Sequence, residues 1–261
     1  MLRVLATRRW IAWLLVALVA AVACLFLGRW QWSRWESRNL TQTTIKNNYD
    51  ATPVPLGEVL PTPTSELAPQ DQWRQVRLVG SYDTGAQTLV RNRPLSGTYG
   101  YEVVLPFRAD DGRTVLVDRG WVPNGTTAET PPEVPPAPSG QVTVVGWMRP
   151  AEPDLKRDAV PGQVSSINPP LVEQQTGVAM DRSAYVRMGS EQPSPAERPA
   201  QLGRPDLGSA AGINLSYALQ WWLAMIAFPV LVLLAARREL PGRAERAPKP
   251  KKQRIWDEED A

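Results

Sequence analysis

Ile213–Ala236, INLSYALQWWLAMIAFPVLVLLAA, decides how the rest of the chain is interpreted, because it contains no charged residue. As a helix it would be about 36 Å long, enough to cross a hydrocarbon core of roughly 30 Å. Its polar residues Asn214, Ser216 and Gln220 fall in the first two turns, and Arg237 follows its end. The sequence therefore predicts a transmembrane helix whose first half carries polar groups and whose second half is an anchor.

A second uncharged run, Trp10–Gly28, would be about 28 Å long as a helix and can also span a membrane. Two alternatives are a cleaved signal peptide and a lipoprotein cleavage site ending at Cys24. The chain stays apolar past Cys24 through Leu27, which favours an uncleaved span. Ala20, Cys24 and Gly28 form a small-residue stripe that lets membrane helices approach closely, so Cys24 is predicted to be a packing residue.

Basic residues predict the orientation of this pair of spans. Lys and Arg outnumber Asp and Glu just after the second span, which places that end in the cytoplasm. We expect a multi-pass protein of the bacterial plasma membrane with both termini cytoplasmic and the main domain extracytoplasmic. The predicted segments are a cytoplasmic 1–9, a first helix with an interfacial extension over 10–35, a β-rich domain over 36–212, a second helix over 213–236, and a charged, disordered tail over 237–261.

The segment between the spans is rich in proline and has the alternation of strands. Strands are predicted at 74–82, 100–108, 114–121 and 141–149, with weaker ones at 87–93 and 184–189. Asp110–Arg113 predicts a hairpin turn, and proline-rich loops occupy 130–139 and 192–205. A short helix is predicted over 169–176, with Asn168 as its cap and Gly177 as its stop. The predicted domain is a mainly antiparallel small barrel or sandwich with one or two short helices.

Composition excludes several kinds of chemistry. The chain has no histidine and one cysteine, so a Ser-His-Asp triad, a Cys-His pair and a multi-cysteine metal site are excluded. A Ser-Lys pair would need Lys46 or Lys156, and neither lies in a suggestive motif. The net charge of +3 comes without a basic stripe interleaved with aromatics, which argues against nucleic acid. We therefore predict no catalytic residue, no metal site and a protein that is not an enzyme.

Two features are candidates for binding, one at the end of a predicted strand and one just after the first span. Arg119, Gly120 and Trp121 follow the alternating part of the third strand. They fit either an edge arginine with a buried tryptophan beside a glycine bulge, or a ring-and-cation surface for a planar or anionic ligand. Trp30 and Arg34 lie one helical turn apart after the first span. They fit either an aromatic belt with a snorkelling arginine or a binding surface.

The start of the second span is the remaining candidate. Asn214, Tyr217 and Trp221 are spaced as i, i+3 and i+7, and Gln220 lies beside them. Uncharged polar groups in a membrane helix usually find partners inside the protein, often on another helix. The pattern therefore indicates helix–helix contact, with a ligand site at lipid depth as the alternative.

Together these pieces resemble the surfeit locus protein 1 family, assembly factors of cytochrome c oxidase. The resemblance rests on short fragments in this order: Gly28-Arg29-Trp30-Gln31 with Arg34, Val79-Gly80-Ser81-Tyr82, Gly100-Tyr101, Asp118-Arg119-Gly120-Trp121-Val122-Pro123, and Tyr217-Ala218-Leu219-Gln220-Trp221. It implies a two-span hairpin with an extracytoplasmic domain, not an enzyme. Such a protein acts as a chaperone that aids formation or stability of the haem a-containing catalytic subunit, including haem a insertion.

The resemblance also implies binding residues. The partner-binding candidates are Trp30, Gln31, Arg34, Arg119, Trp121, Asn214, Tyr217, Gln220 and Trp221, and the haem-contact candidates are Trp30, Trp121 and Trp221. Members of the family often have a histidine, considered a haem ligand, at the position of Asn214. Imidazole ligation is excluded in this chain, and Met225, Met188, Tyr217 and Cys24 lack a supporting context as substitutes.

The resemblance leads to a statement about cofactors and partners. We expect no tightly bound cofactor and only transient contact with haem a. The expected partners are membrane lipid and cytochrome c oxidase subunits, especially the haem-bearing catalytic subunit, alone or within a respiratory supercomplex. Two alternatives remain: a tethered extracytoplasmic binding or sensing module for another membrane partner, and a membrane-bound hydrolase.

Overall fold

The computed structural model describes residues 2–126, 130–158, 160–207 and 210–239. The chain divides into two units. One combines the N-terminal part up to Asn39 with the C-terminal part from Gly208, and the other consists of Leu40–Leu207. In chain order the elements are α1 (Leu2–Leu5), α2 (Arg8–Asn48), β1 (Val54–Pro55), α3 (Leu56–Val59), β2 (Gln75–Tyr82), β3 (Thr88–Leu95), β4 (Thr98–Ala109), β5 (Thr114–Pro123), β6 (Val142–Pro150), β7 (Gln163–Val164), α4 (Pro169–Thr176), β8 (Ala184–Gln192) and α5 (Ala210–Arg238).

Helices α2 and α5 are long and apolar enough to cross a membrane. Their apolar parts coincide with the predicted spans, but α2 continues to Asn48, well past the predicted end at Trp35. Residues 36–48 contain neither glycine nor proline to end the helix, and Ile45 and Asn48 are buried. The predicted disordered tail lies almost entirely outside the described residues.

Strands β2, β6, β8, β5 and β4 follow one another side by side, and β2 also pairs with β4. In that last pairing Tyr82 lies opposite Phe107 and Gly80 opposite Ala109, which closes the sheet into a barrel. β3 extends the sheet beside β4, and the short strands β1 and β7 lie at its margins. The sequence predicted a small barrel or a sandwich, and the closed sheet shows that the domain is a barrel.

The predicted strands are all present, with ends that differ by a few residues. Pairing is mainly antiparallel, but β1–β2, β3–β7 and β5–β8 are parallel. The two-residue strands β1 and β7 were not predicted, because so few residues show no alternation.

Side chains alternate between the two faces of the sheet along each strand, and a hydrophobic core lies on each face. The core inside the barrel includes Val76, Leu105, Phe107, Val117, Val144 and Val186. The second core lies on the outer face beneath α4 and includes Val90, Val104, Leu116, Ile167 and Val172. β5 contributes to both cores, and seven of its ten residues are therefore buried.

Helix α4 has the ends that the sequence predicts. The Asn168 side chain accepts a hydrogen bond from the Leu171 backbone N–H at 3.3 Å, and Gly177 ends the helix at φ 72°. The predicted hairpin turn is also present, with Gly112 at φ 85° and its N–H bonded to Ala109 O at 2.9 Å.

The last turn of α2 and the residues after it are fixed against the barrel by aromatic and amide contacts. The Tyr49 ring stacks on Trp147 with centroids 4.4 Å apart, and the Trp147 indole N–H donates to the Tyr49 carbonyl at 2.9 Å. The Asn48 amide donates to the carbonyls of Gln70 and Gln72 at 2.6 and 2.9 Å. Residues 40–48 of α2 are therefore part of the barrel unit.

Candidate functional site

Arg119 lies inside the barrel on β5, where its side chain is completely buried. Alternation places it on the same face as Val115 and Val117. Its guanidinium donates to both carboxylate oxygens of Glu191 on β8, from Nη2 at 2.7 Å and from Nε at 3.2 Å. The Tyr82 hydroxyl donates to the same carboxylate at 2.9 Å, and the Tyr82 ring lies 5.5 Å from the guanidinium. The three side chains form a satisfied polar cluster in an otherwise apolar interior.

The same guanidinium holds the proline-rich segment that follows β5. It donates to the carbonyls of Pro135 and Pro136 at 3.1 and 3.4 Å, and Val134 packs against the barrel core. Burial, reinforced by the charge of Glu191, raises the pKa of Tyr82 far above its usual range, so its hydroxyl remains a donor. Arg119 therefore connects β5 and β8 with the loop.

Gly120 and Trp121 have separate structural reasons to follow Arg119. Gly120 lies at a β-bulge with φ 126°, and an added Cβ would come 2.5 Å from the Ala200 carbonyl oxygen. Trp121 exchanges backbone hydrogen bonds with Ala200, and its indole N–H donates to the Arg93 carbonyl at 2.7 Å. The ring lies over Gly100, where an added Cβ would come 2.5 Å from it. The Gly100 and Arg119-Gly120-Trp121 fragments are thus parts of one packed arrangement.

These contacts correct the interpretation of Arg119 as part of an exposed ring-and-cation surface. Its strand is not an edge, since β5 lies between β4 and β8, and the guanidinium has no exposed surface. Trp121 lies beside the bulge, where it is half-buried and not fully buried as the packing alternative expected. Contact of Trp121 with a partner or haem stays a prediction.

Sequence reasoning missed Glu191, and it noted Tyr82 only within a family fragment and not as a partner of Arg119. One usable signal was present, because the alternation Val115, Val117, Arg119 assigns the arginine to the barrel face. Nothing local pointed to Glu191, which lies beyond the predicted end of its strand.

A second polar cluster lies on the other face of β5. Asp118 is buried, with Oδ1 accepting from the Gly120 N–H at 3.0 Å and Oδ2 without a hydrogen-bond partner among the described residues. Burial, reinforced by the nearby charge of Glu102, raises the pKa of Asp118 to about 8. Burial also raises the pKa of Glu102, although the ion pair with Arg93 at 3.1 Å opposes this. Asp118 is therefore mainly protonated at neutral pH.

We expect Asp118→Asn to flatten the pH dependence of stability. The folded protein binds a proton at Asp118 between the ordinary pKa of 3.8 and the raised value of about 8, so stability falls as the pH rises through this range. At about 1.4 kcal/mol per pH unit, native protein loses roughly 3 kcal/mol between about pH 6 and 9 that the variant keeps, since Asn retains the acceptor for Gly120. Denaturant unfolding of purified protein across this range measures the difference. Glu197→Gln, at an exposed carboxylate, is the control, and parallel profiles for Asp118→Asn and native protein would contradict the expectation.

Within the helical unit, α2 and α5 pack through small residues. Gly28 is buried, and an added Cβ there would overlap the indole of Trp222. Cys24, one turn earlier, is also buried, as is Ala218 on α5. Cys24 is a packing residue as predicted, and the small-residue stripe permits the close approach.

The predicted binding residues of these two helices divide into inward and outward groups. Asn214 is buried, and Gln31 has a buried Oε1 without a hydrogen-bond partner among the described residues. The outward residues are Trp30 and Tyr217, which are 53% and 47% exposed, together with Arg34 and Gln220; Trp221 is half-buried. The Arg34 guanidinium lies 5.3 Å from the Trp30 ring centroid, as the one-turn spacing predicts.

The lysines considered for a Ser-Lys pair are exposed, and Lys156 forms an ion pair with Asp154 at 2.8 Å. In the described ranges no group of three Cys, Asp or Glu side chains is placed to hold a metal ion. Met188, considered as an iron ligand, lies in the barrel core.

Comparison with known proteins places these features in a family. The model of the SURF1 family matches residues 18–226. SURF1-like proteins of Mycobacterium tuberculosis and Mycobacterium bovis, both described as uncharacterised, are 34% identical over 241 residues, covering 90% of this chain and 86% of theirs. The cytochrome oxidase assembly protein SHY1 of Saccharomyces cerevisiae is 31% identical over 100 residues, covering 37% of this chain and 24% of its own length.

The fold and the sites define a class of protein. In the sequence of such a protein, one candidate membrane helix precedes a closed β-barrel domain and a second follows it. The fragments that carry the resemblance form packed arrangements on β5 and on the paired helices. The chain belongs to the SURF1 family.

Proposed function

We propose that this protein is a membrane-anchored assembly factor or accessory subunit of cytochrome c oxidase. Membership of the SURF1 family supports the proposal, and so does the partial similarity to a yeast protein named for cytochrome oxidase assembly. We propose a location in the bacterial plasma membrane with both termini in the cytoplasm. The barrel domain then lies outside the cytoplasm.

The main support for a mode of action is that several polar and aromatic residues of the helix pair are exposed and not packed between the helices. Gln220 and Tyr217 point away from the packed face of α5, although both belong to the fragment by which the helix resembles its family. An amide that faces lipid loses its hydrogen bonds with water, and a neighbouring membrane helix can restore them. Trp30 and Arg34 add an aromatic and cationic surface on α2. These residues fit docking against the membrane part of a larger complex.

We propose that docking aids formation or stability of the haem a-containing catalytic subunit. The chain has no histidine, and Asn214, where the family resemblance implies that a histidine is common, is buried. This favours action through protein contact over carriage of a ligated haem. Transient stacking of haem a on Trp30, Trp121 or Trp221 needs no iron ligand and belongs to the same proposal.

The test combines gene deletion with complementation by Tyr217→Ala/Gln220→Leu. We expect deletion to remove the haem a absorbance of the oxidase and leave other cytochromes unchanged. The double variant should reduce co-purified oxidase subunits about tenfold or more, because the outward contacts are lost while the packed face is intact. Ile226→Ala, at an exposed apolar position of α5, is the matched control.

Two results would contradict the proposal. One is a normal oxidase band with normal turnover in the deletion strain. The other is native protein that co-purifies without any oxidase subunit. Co-purification of a different membrane protein would instead support the tethered binding or sensing module.

A further inference from the structure

The proline-rich segment 131–139, between β5 and β6, has a backbone conformation that its sequence restricts closely. Five of its nine residues are proline, and each proline fixes its own φ near −65°. Residues that precede a proline, such as Val134 and Ala137, are driven to an extended ψ. The segment is neither helix nor strand, and among the described residues no backbone hydrogen bond joins two of its members. These are the properties of a polyproline II helix, which has no internal hydrogen bonds.

Burial along the segment repeats every three residues, which is the period of a polyproline II helix. Val134 and Ala137 form one ridge, which packs against the core inside the barrel. Every third residue is fully exposed, and these residues are Glu133, Pro136 and Ser139. The remaining ridge consists of half-buried prolines, which are Pro132, Pro135 and Pro138. The segment therefore lies on the barrel along one ridge and presents the other two ridges to solvent.

Arg119 holds the segment in place from inside the barrel. Its guanidinium donates to the carbonyls of Pro135 and Pro136 at 3.1 and 3.4 Å. The prolines thus set the conformation of the segment, and Arg119 together with the packed ridge sets its position. A partner that binds a segment held in this way has little conformational entropy to remove from it, which favours association.

We propose that segment 131–139 docks into an aromatic-lined groove on an extracytoplasmic part of the oxidase, an inference that rests on the proposed function. Grooves of this kind recognise proline-rich segments in the polyproline II conformation, with prolines three residues apart. Pro132, Pro135 and Pro138 have that spacing and are partly accessible. The exposed Glu133 takes part in no ion pair between described residues. Its negative charge beside the prolines is complementary to a groove with a basic side chain at one end.

Co-purification of the oxidase with the full-length protein in a mild detergent tests the proposal. We expect Pro132→Ala/Pro138→Ala to reduce the co-purified oxidase about fivefold or more, because the variant loses two rings and frees the backbone. The packed ridge and the carbonyls that accept from Arg119 are kept in this variant. Pro61→Ala/Pro63→Ala, at two exposed prolines before β2, is the matched control, and thermal unfolding checks that each variant is folded.

The charge and the position of the contact are tested separately. Glu133→Lys should reduce the co-purified oxidase several-fold at low salt and less at high salt, since salt screens exposed charges. A photo-crosslinking amino acid in place of Ser139, on the exposed ridge, should form a covalent product with an oxidase subunit. The same amino acid in place of Gln174, an exposed position on α4, should not.

The outcomes separate this proposal from the assembly role. If native protein carries the oxidase through purification and either segment variant carries as much, the docking segment is refuted and the assembly role stands. Equal loss in the Pro61→Ala/Pro63→Ala control, or a crosslink from Ser139 only to a second copy of this chain or to an unrelated protein, would also refute it. Native protein that co-purifies without any oxidase subunit would contradict the assembly role, and the docking proposal would fall with it.

Discussion

Replacing Arg119 by alanine lowers the free energy of unfolding by about 3–5 kcal/mol, enough to unfold much of the protein. The loss comes from Glu191, whose carboxylate stays buried in the barrel without its counter-ion, and from the backbone contacts to Pro135 and Pro136. Denaturant unfolding of purified protein and its level in the membrane measure the effect. Folding and oxidase assembly should fall together, because the arginine has no exposed surface with which to contact a partner.

An exposed ion pair of the same barrel provides the control. Arg108 pairs with Asp83 at 2.5 Å, but the Arg108 side chain is 63% exposed. Arg108→Ala should cost less than about 1 kcal/mol, because solvent screens the pair. Combining Arg119→Met with Glu191→Leu should recover part of the loss, since the buried charges are removed together. An Arg119→Ala variant as stable as Arg108→Ala would contradict the interior assignment.

Replacing Gly28 by leucine separates the paired helices and removes most oxidase co-purification. Even a methyl group at this position overlaps the indole of Trp222, so a leucine must displace that ring or the helix backbone. Overpacking of this kind costs about 1–3 kcal/mol or more, and the outward groups of α2 and α5 would lose their common arrangement. Thermal unfolding in detergent and the amount of co-purified oxidase measure the two effects.

A lipid-facing position and a compensating change make this prediction specific. Ala23 lies on the exposed side of α2, so Ala23→Leu should leave the thermal stability and the amount of co-purified oxidase near the native values. Trp222→Ala vacates the space that the new side chain needs, so Gly28→Ala should be better tolerated in that background than in native protein. If the cost of Gly28→Ala is the same in both backgrounds, the two residues are not in contact.

The two predictions concern different units, and they affect function in different ways. Arg119 acts through the stability of the barrel, whereas Gly28 acts through the arrangement of the helices that carry Trp30, Tyr217 and Gln220. The outward residues themselves should affect partner binding with little change in folding. Measuring stability and co-purification on the same variants separates these roles.

The local elements of the fold were predictable because their signals are local. Alternation of apolar and polar residues revealed the strands of the barrel, and Asn168 and Gly177 marked both ends of α4. The extension of α2 to Asn48 was missed, since residues 36–48 lack an apolar run and owe their order to contacts such as those of Asn48 with Gln70 and Gln72. Periodicity of apolar residues along the chain cannot predict contacts between residues that are distant in sequence.

The sequence alone predicts two helices able to cross a membrane and a strand-rich domain between them. It also excludes histidine chemistry and carries the resemblance to one family. Three features depend on contacts between distant parts of the chain and were not predictable from it. The sheet closes through β2 and β4, Arg119 pairs with Glu191 inside the barrel, and Asn214 is buried while Tyr217 and Gln220 face outward. Hydrophobic periodicity fixes which face of an element is apolar, because it depends on neighbouring residues along the chain. The partner of a buried charge depends on barrel closure, which joins residues that are far apart in sequence.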